Sequence, residues 1–206
     1  MRLVVPQGAE AHAVLRAVPD AIVVPPGAAA AKALPELDPG ERVVVVGLCG
    51  ALWRLRAGEV AIYARVVDGS GAFAIDPQCV DDVARALPGA HVVNACTTKR
   101  VVTAVDARHV LAQRFNADVV DLEGTPLAAA FAARGARFAM VRVVSDDASR
   151  DLPPIDDAID AEGRLRPLKI AAAFVRAPRA ASAFVRNVRG ALATLTETAR
   201  ALSGAL

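Results

Sequence analysis

The chain has few cysteines, no long apolar run and no strong excess of one charge. Its three cysteines, Cys49, Cys79 and Cys96, are widely spaced and form no Cys-x-x-Cys pair. This spacing argues against zinc and disulfide frameworks and favours reduced thiols in a cytoplasm. No apolar segment approaches the roughly 20 residues that a membrane-spanning helix needs, and the first residues do not resemble a secretion signal. We therefore expect a cytoplasmic protein with no metal site and no cofactor.

The charge balance argues against nucleic acid as a partner. The 24 basic and 22 acidic residues give a net charge of +2, which is too small to indicate nucleic-acid binding. Basic residues become more frequent toward the C-terminus, where a solvated helix face and an anionic surface or partner both remain open. A hydrophobic content of 54% is typical of a chain that fills a core.

Short β-branched segments alternate with alanine-rich segments along the chain. Strands are predicted at 2–5, 21–24, 41–46, 59–67, 91–95, 118–122 and 137–144. Helices are predicted at 9–17, 28–34, 77–87, 107–115 and 125–134, and from residue 166 onward with a break near Pro178. Asp76 and Asp106 are expected to cap two of these helices. Apolar strands alternating with helices predict an α/β fold with a parallel or mixed sheet covered on both faces, in a single domain over residues 1–206.

Two acids carry the most specific signal in the sequence. Glu123 follows a predicted strand and precedes a helix, and Asp146 follows the predicted strand at 137–144. Ligands of parallel α/β sheets bind where strands end, so both acids are expected at a binding site. Two acids at one site suit sugar chemistry, because one can hold ribose hydroxyls while the other protonates a leaving base. Each acid also has a simpler explanation, because Glu123 suits a helix start and Asp146 can cap the loop that follows.

Three segments resemble the nucleoside phosphorylase/nucleosidase superfamily, which includes purine nucleoside phosphorylase and methylthioadenosine/S-adenosylhomocysteine nucleosidase. Residues 46–60, with Gly-Leu-Cys-Gly-Ala-Leu and then Gly-Glu-Val, are similar to the family's glycine stretch and the strand after it. Residues 120–124 are similar to its Val-Glu-Met-Glu-Ala segment, and residues 141–148 to its Arg-x-Ile-Ser-Asp segment. The gap of 146 − 123 = 23 residues between the acids also agrees. The resemblance implies a three-layer α/β/α fold with a mixed, partly barrel-like sheet.

The resemblance also implies a role for each residue of a purine nucleoside site. Glu123 would accept hydrogen bonds from the ribose hydroxyls, and Asp146 would bind purine N7 and donate a proton as the glycosidic bond breaks. Glu10 stands where nucleosidases carry the acid that orients the attacking water, with His12 as the alternative. The other substrate-binding residues that the resemblance implies are Leu122, Cys49, Gly50 and Ser145.

Water is the expected nucleophile, because the phosphate contacts of the related phosphorylases are missing. Val45, Leu48 and His12 occupy positions where the phosphorylases have Arg, Ser and Arg. A phosphate dianion buried beside Val45 and Leu48 would be uncompensated. Arg54, Arg56 or a partner subunit remain other sources of positive charge.

The segment between Glu10 and the strand at 21–24 is short for this superfamily, so we expect the pocket to be open toward the 5′ side of the sugar. Short members occur with hopanoid biosynthesis, where adenine is removed from an adenosyl-lipid. The resemblance thus implies a purine nucleosidase that cleaves an adenosine-type nucleoside with a 5′ substituent, such as adenosylhopane. Alternatives are a phosphorylase and a non-catalytic nucleoside-binding protein. We further expect a homo-oligomer, peripheral membrane contact if the substrate is a lipid, and a mobile loop at 147–160.

Overall fold

A computed structural model describes residues 1–155 and 166–205. Within these ranges the strands are β1 (Arg2–Pro6), β2 (Ile22–Val24), β3 (Arg42–Ala51), β4 (Val60–Val67), β5 (Ala72–Ala74), β6 (His91–Thr97), β7 (Val119–Asp121) and β8 (Arg137–Asp146). The α-helices are α1 (Ala9–Leu15), α2 (Pro77–Ala86), α3 (Val105–Phe115), α4 (Gly124–Ala133), α5 (Pro167–Arg176) and α6 (Pro178–Ala205). Every strand and helix expected from the sequence has a counterpart here, so the alternation of elements is confirmed.

Five strands close into a barrel-like ring at the centre of the molecule. Around the ring, β3 pairs with β8, β8 with β4, β4 with β6, β6 with β7, and β7 with β3 again. The β3–β7 and β4–β8 pairs are antiparallel and the other three are parallel. β1 and β2 extend the sheet from the first half of β3. The predicted fold, an α/β arrangement around a mixed, partly barrel-like sheet, is confirmed.

Helices cover this sheet. α6 packs on β8 and β3 and also contacts α1, while α2 and α4 contact β4 and β8 from other sides. The strands are apolar along most of their length, and β8 is buried at every residue except Arg137, which is partly exposed. Among residues 1–155 and 166–205, no helix combines the length and apolar character that a bilayer crossing requires.

Two strand ends differ from the sequence prediction in ways that matter for the site, and two other elements differ elsewhere. β3 was expected to stop at residue 46 but runs to Ala51, because β8 pairs with it as far as Gly50. β8 likewise continues to Asp146. The predicted helix at 28–34 is a 3-10 helix at Gly27–Lys32, and β5 was not expected at all. The glycine stretch is therefore part of a strand and not a turn.

The two predicted helix caps have opposite outcomes. Asp76 precedes α2, and its side chain accepts a hydrogen bond from the Gln78 amide at 2.9 Å, as expected. The assignment of Asp106 was wrong, because α3 begins at Val105 and Asp106 lies inside its first turn. The Val105 amide instead donates to the carboxylate of Asp151 at 2.8 Å, a residue 46 positions away.

Candidate active site

A cavity of about 440 Å³ opens where β1, β3, β7 and β8 end. All seven residues that the sequence assigned to the site line it: Glu10, Cys49, Gly50, Leu122, Glu123, Ser145 and Asp146. Glu123 and Asp146 therefore face a common space, although 23 residues separate them. The convergence is a consequence of strand pairing, because Gly50 of β3 pairs with Val120 of β7 on one side and with Asp146 of β8 on the other.

Glu10 reaches the cavity from the first turn of α1. Gly8, with φ of 101°, makes the sharp turn between β1 and this helix, in a conformation that favours glycine. The Leu48 amide donates to Oε1 of Glu10 at 2.6 Å. Burial and the nearby Glu123 carboxylate raise the pKa of Glu10 to about 8, against an ordinary value of 4.5. Glu10 is therefore mostly protonated at neutral pH, and its ionised form is a stronger base than an ordinary carboxylate.

Glu123 belongs to a buried charge cluster and does not cap α4. It precedes that helix, but its side chain makes no capping hydrogen bond. Its Oε1 lies 3.5 Å from Nη1 of Arg142, and Asp121 Oδ2 lies 3.6 Å from Nη2 of the same guanidinium. Burial raises the pKa of Glu123, with Asp121 acting in the same direction and Arg142 opposing. The simpler explanation of Glu123 as a helix-dipole residue is not supported by these contacts.

Arg142 is fully buried at the middle of β8, beneath this group of acids. Burial lowers its pKa, but Glu123 and Asp121 more than compensate, so the pKa lies above its ordinary value and the side chain is charged. None of its three guanidinium nitrogens donates a hydrogen bond to another described residue. A side chain at Gly47 would collide with both Arg142 and Glu10. The lack of a side chain at Gly47 therefore leaves the space that the Arg142 and Glu10 side chains occupy, in addition to any effect on strand geometry.

A β-bulge sets the direction of Asp146. Along β3 and β8, Cys49 pairs with Val144, but the next pair is Gly50 with Asp146, so Ser145 is the extra residue. The Ser145 hydroxyl lies 3.1 Å from the Cys49 carbonyl oxygen and 2.5 Å from Oδ1 of Asp146. Its single proton can serve only one of these acceptors at a time. The hydroxyl can thus donate to an ionised Asp146, or accept from a protonated one while donating to Cys49.

Arg108 completes the surroundings of Asp146. Its Nη2 lies 2.5 Å from Asp146 Oδ2, and both side chains are buried. The guanidinium also donates to the carbonyl oxygens of Val102, Ala51 and Asp147. These bonds fix Arg108 between α3 and the end of β8. The Asp146 carboxylate consequently has a cationic donor on one oxygen and a hydroxyl on the other.

The residues around these acids are small or apolar. Burial raises the pKa of the Cys49 thiol, so this side chain is a neutral part of the wall. Gly50 leaves room for Asp146, because a Cβ there would lie 2.9 Å from Oδ2 of that residue. Leu122 lines the cavity between the two acids of its own segment, Asp121 and Glu123.

One end of the cavity is apolar. Its lining there comprises Val101, Val102, Leu152, Ile155, Ile170, Phe174, Phe184 and Val188. Leu152 and Ile155 belong to the predicted loop at 147–160, of which residues 156–160 lie outside the described residues. The loop therefore contributes to the site, and its mobility stays a prediction. Thr98 and Arg100, from the segment after β6, also line the cavity.

Sequence reasoning missed Arg142, Asp121 and Arg108. Arg142 had a detectable signal, since it is a lone charge in the otherwise apolar segment 138–144, where a buried charge needs a partner. Arg108 had none, because it is one of several polar residues in α3. The alternatives named from the sequence are not brought to the cavity: His12 is exposed, and Arg54 lies over the ring of Trp53. Arg56 is also exposed and does not line the cavity.

Solved structures with the same architecture come from nucleoside-cleaving enzymes. A mutant of futalosine hydrolase from Helicobacter pylori has a TM-score of 0.69 at 11% identity, over 100% of both chains. A mutant of the H. pylori methylthioadenosine/S-adenosylhomocysteine nucleosidase, with 5′-methylthioadenosine in its active site, has a TM-score of 0.67 at 11% identity, over 100% of this chain and 99% of that one. The Streptococcus pneumoniae methylthioadenosine/S-adenosylhomocysteine nucleosidase in complex with 8-aminoadenine has a TM-score of 0.60 at 16% identity, over 95% and 99%.

The chain has the nucleosidase fold. No protein-family profile and no curated protein sequence matches it, and identities this low carry the fold alone. The superfamily fold expected from the three sequence segments is confirmed. The roles of individual residues depend on the geometry described above.

Proposed function

We propose that this chain is a purine nucleosidase that uses water to cleave the N-glycosidic bond of an adenosine-type nucleoside with an apolar 5′ substituent. The observation that carries the proposal is the convergence of Glu10, Glu123 and Asp146 on one cavity with an apolar end. The neighbouring structures support it, since enzymes with this fold include hydrolases of futalosine and of methylthioadenosine. We retain a single domain, a homo-oligomer and a cytoplasmic location as further proposals.

In this proposal Asp146 is the acid that protonates the leaving base at N7. Glycosidic cleavage develops positive charge on the sugar and negative charge on the base, so a proton delivered to the base lowers the barrier. The transfer leaves a carboxylate at Asp146. Arg108 and the Ser145 hydroxyl are already placed to donate to that carboxylate. Ser145 can change acceptor as the proton moves, because the Cys49 carbonyl is its other partner.

Glu123 is the ribose-binding acid and Glu10 the residue that activates water. A carboxylate offers two acceptor oxygens, which suits the vicinal 2′- and 3′-hydroxyls. Glu10, with its raised pKa, is a stronger base than an ordinary carboxylate and can accept a proton from the attacking water. Arg142 is a positioning residue: its guanidinium pairs with Glu123 and with Asp121, and it opposes the rise in the pKa of Glu123 that burial causes.

Water is favoured over phosphate because the two buried arginines at the site are already engaged by acids. Arg108 is paired with Asp146, and Arg142 faces Glu123 and Asp121. Val45 is fully buried, and the Leu48 amide donates to Glu10, so neither position offers a donor to an oxyanion. Binding a dianion beside three carboxylates would require charge that these contacts do not provide.

Base release measured with and without phosphate tests the function. Purified protein is incubated with adenosine, methylthioadenosine, futalosine and a lipid-linked nucleoside such as adenosylhopane, and free base is quantified. We expect phosphate-independent release, fastest from the substrate with the largest apolar 5′ group. Strict dependence on phosphate would identify a phosphorylase, and binding of adenine without base release would identify a non-catalytic protein. Much faster release from methylthioadenosine than from adenosylhopane would overturn the lipid substrate.

Replacing Glu123 with Gln should weaken substrate use without unfolding the chain. A hydrogen bond to a charged acceptor is worth about 1.5–3 kcal/mol, so kcat/KM should fall about 10- to 100-fold. The measurement is initial rates of base release across substrate concentration. Glu197→Gln is the matched control, since Glu197 is exposed on α6 and pairs only with Arg200 on the surface. Equal kinetics for both variants would remove Glu123 from the site.

The pH profile should report on Glu10. Because its pKa is raised to about 8, kcat/KM should increase with pH up to about pH 8, where the proton-accepting form predominates. Glu10→Gln should abolish this rising limb and lower kcat about 100-fold. His12→Gln, on the exposed side of the same helix, should keep the wild-type profile; a lost limb in His12→Gln instead would make His12 the base.

The same raised pKa has an opposite effect on stability. The folded chain retains a proton on Glu10 that the unfolded chain releases above its ordinary value of 4.5. The free energy of unfolding should therefore decline as pH rises from about 4.5 toward 8. Glu10→Gln removes this contribution, so above pH 8 the variant should be more stable than wild type in urea titrations.

A further inference from the structure

Helix α5 is apolar on two opposite sides. Its inner side carries Ile170, Ala173 and Phe174, which join a small hydrophobic cluster with Ile155 and Phe184. Its outer side carries Leu168, Ala171, Ala172 and Val175, all exposed. The spacing i, i+3, i+4, i+7 places these four residues in one stripe on the opposite face of the helix. We refer to them as the outer stripe.

The outer stripe exposes large side chains to solvent. Leu168 is 87% exposed and Val175 is 81% exposed, more than any other large hydrophobic residue of the described chain. A helix that only covers a cavity needs a single apolar face. The outer stripe is thus a surface whose burial requires something outside this chain.

The residues bordering the outer stripe are cationic. Lys169 and Arg176 lie seven positions apart on one flank of it, and Arg166 and Arg179 are exposed just beyond its two ends. No Asp or Glu occurs from residue 166 to residue 196. Exposed Leu and Val bordered by Lys and Arg match the interface of a bilayer that contains anionic lipids, where apolar side chains enter the headgroup boundary and cations meet phosphates.

We propose that α5 docks this protein on the surface of an anionic lipid bilayer through the outer stripe. At ten residues, or about 15 Å, α5 can lie on a bilayer and cannot cross it. A second copy of the chain is a poorer occupant, because a symmetric contact would bring like-charged flanks together. Binding at this face would place the apolar end of the cavity next to the bilayer, since Ile170 and Phe174 line that cavity from the same helix.

The link to the cavity rests on the proposed function, whereas lipid docking itself does not. If both hold, a lipid-linked nucleoside would enter from the bilayer with its apolar group along the inner side of α5. The chemistry of base release would proceed at the other end of the cavity, at Glu123 and Asp146. Docking is tested without substrate, so its failure and the failure of hydrolysis are separate results.

Cosedimentation with vesicles tests the proposal. The full chain is mixed with vesicles of phosphatidylcholine alone or of phosphatidylcholine with phosphatidylglycerol, at low and at high salt. We expect the chain to bind the vesicles that contain phosphatidylglycerol and to bind those of phosphatidylcholine alone about tenfold more weakly. Binding to the anionic vesicles should also weaken at high salt. Leu168→Asp/Val175→Asp should reduce binding to the anionic vesicles at least about tenfold.

The matched control is Val92→Asp/Val110→Asp. It adds the same two charges at exposed apolar positions on β6 and α3, and it should bind vesicles as wild type does. Circular dichroism establishes folding of each variant, and base release from soluble methylthioadenosine is measured on the same samples. Absent binding by wild type, or equal loss in both double variants, overturns the proposal. A smaller mass of only the α5 variant in ultracentrifugation would instead assign the outer stripe to contact between copies.

Discussion

Asp146→Asn should abolish most base release while leaving the fold intact. The amide cannot transfer a proton to the leaving base, so kcat should fall about 1,000-fold. The substitution keeps the shape of the side chain: the amide oxygen can replace Oδ2 and accept from Arg108, and the NH2 group can replace Oδ1 and donate to the Ser145 hydroxyl, which then donates to the Cys49 carbonyl. KM should change much less than kcat, because the missing interaction belongs to the transition state. Steady-state rates of adenine release, with binding of adenine measured separately, check the two effects.

Asp147→Asn provides the comparison for this variant. Asp147 is adjacent in sequence, but its carboxylate interacts with Ser149 and only its backbone carbonyl contacts Arg108. Activity close to that of wild type is expected. Substantial activity in Asp146→Asn would mean that another group protonates the base, and Arg108 would be the next residue to substitute.

Arg142→Met should cost about 3–5 kcal/mol of unfolding free energy at neutral pH. The substitution nearly preserves side-chain volume but leaves Glu10, Glu123 and Asp121 without the cation that they share. The negative charges then stay buried without a partner, which is strongly destabilising. Urea titration followed by circular dichroism measures the change. Arg137→Met is the control on the same strand, because the Arg137–Asp76 pair is exposed and worth about 0–1 kcal/mol.

The pH dependence of this loss identifies its cause. Arg142 lowers the pKa of both Glu10 and Glu123, so its removal raises them further. Carboxyls with a raised folded-state pKa favour the folded state when protonated and disfavour it as pH rises. The deficit of Arg142→Met should therefore shrink toward pH 5, and adding Glu10→Gln and Glu123→Gln should restore part of the stability. A deficit independent of pH in these variants would point to packing instead of charge.

Much of this site could be predicted from sequence because it is encoded in short segments. The segments around the acids at 123 and 146 are local in sequence, whereas the meeting of the acids depends on β7 and β8, which run antiparallel, both pairing with β3 at Gly50. The β-bulge could not be predicted, since nothing in Val143–Val144–Ser145–Asp146 indicates which residue is left unpaired. Arg108 could not be predicted for a similar reason, because its contact with Asp146 depends on how α3 packs against the end of β8 and not on the sequence of α3 itself.

The boundaries of β3 show the same limit. Residues 47–50 contain two glycines, which locally favour a turn, yet the strand continues through them because β8 supplies partners along the whole length. The cap of α3 is another case, since it is provided by Asp151 from across the loop. Local propensity predicted which elements exist, while long-range pairing decided where they end.

The closed ring of β3, β8, β4, β6 and β7 restricts how proteins with this fold could diversify. A strand in an open sheet can slip or splay, but each ring member is pinned by a partner on either side. Mutations that accumulate elsewhere should leave the spacing between the acids nearly constant. The helices and loops at the apolar end of the cavity lack such constraint, so changes in what the cavity binds would arise there first, while the acids held by the ring keep their positions.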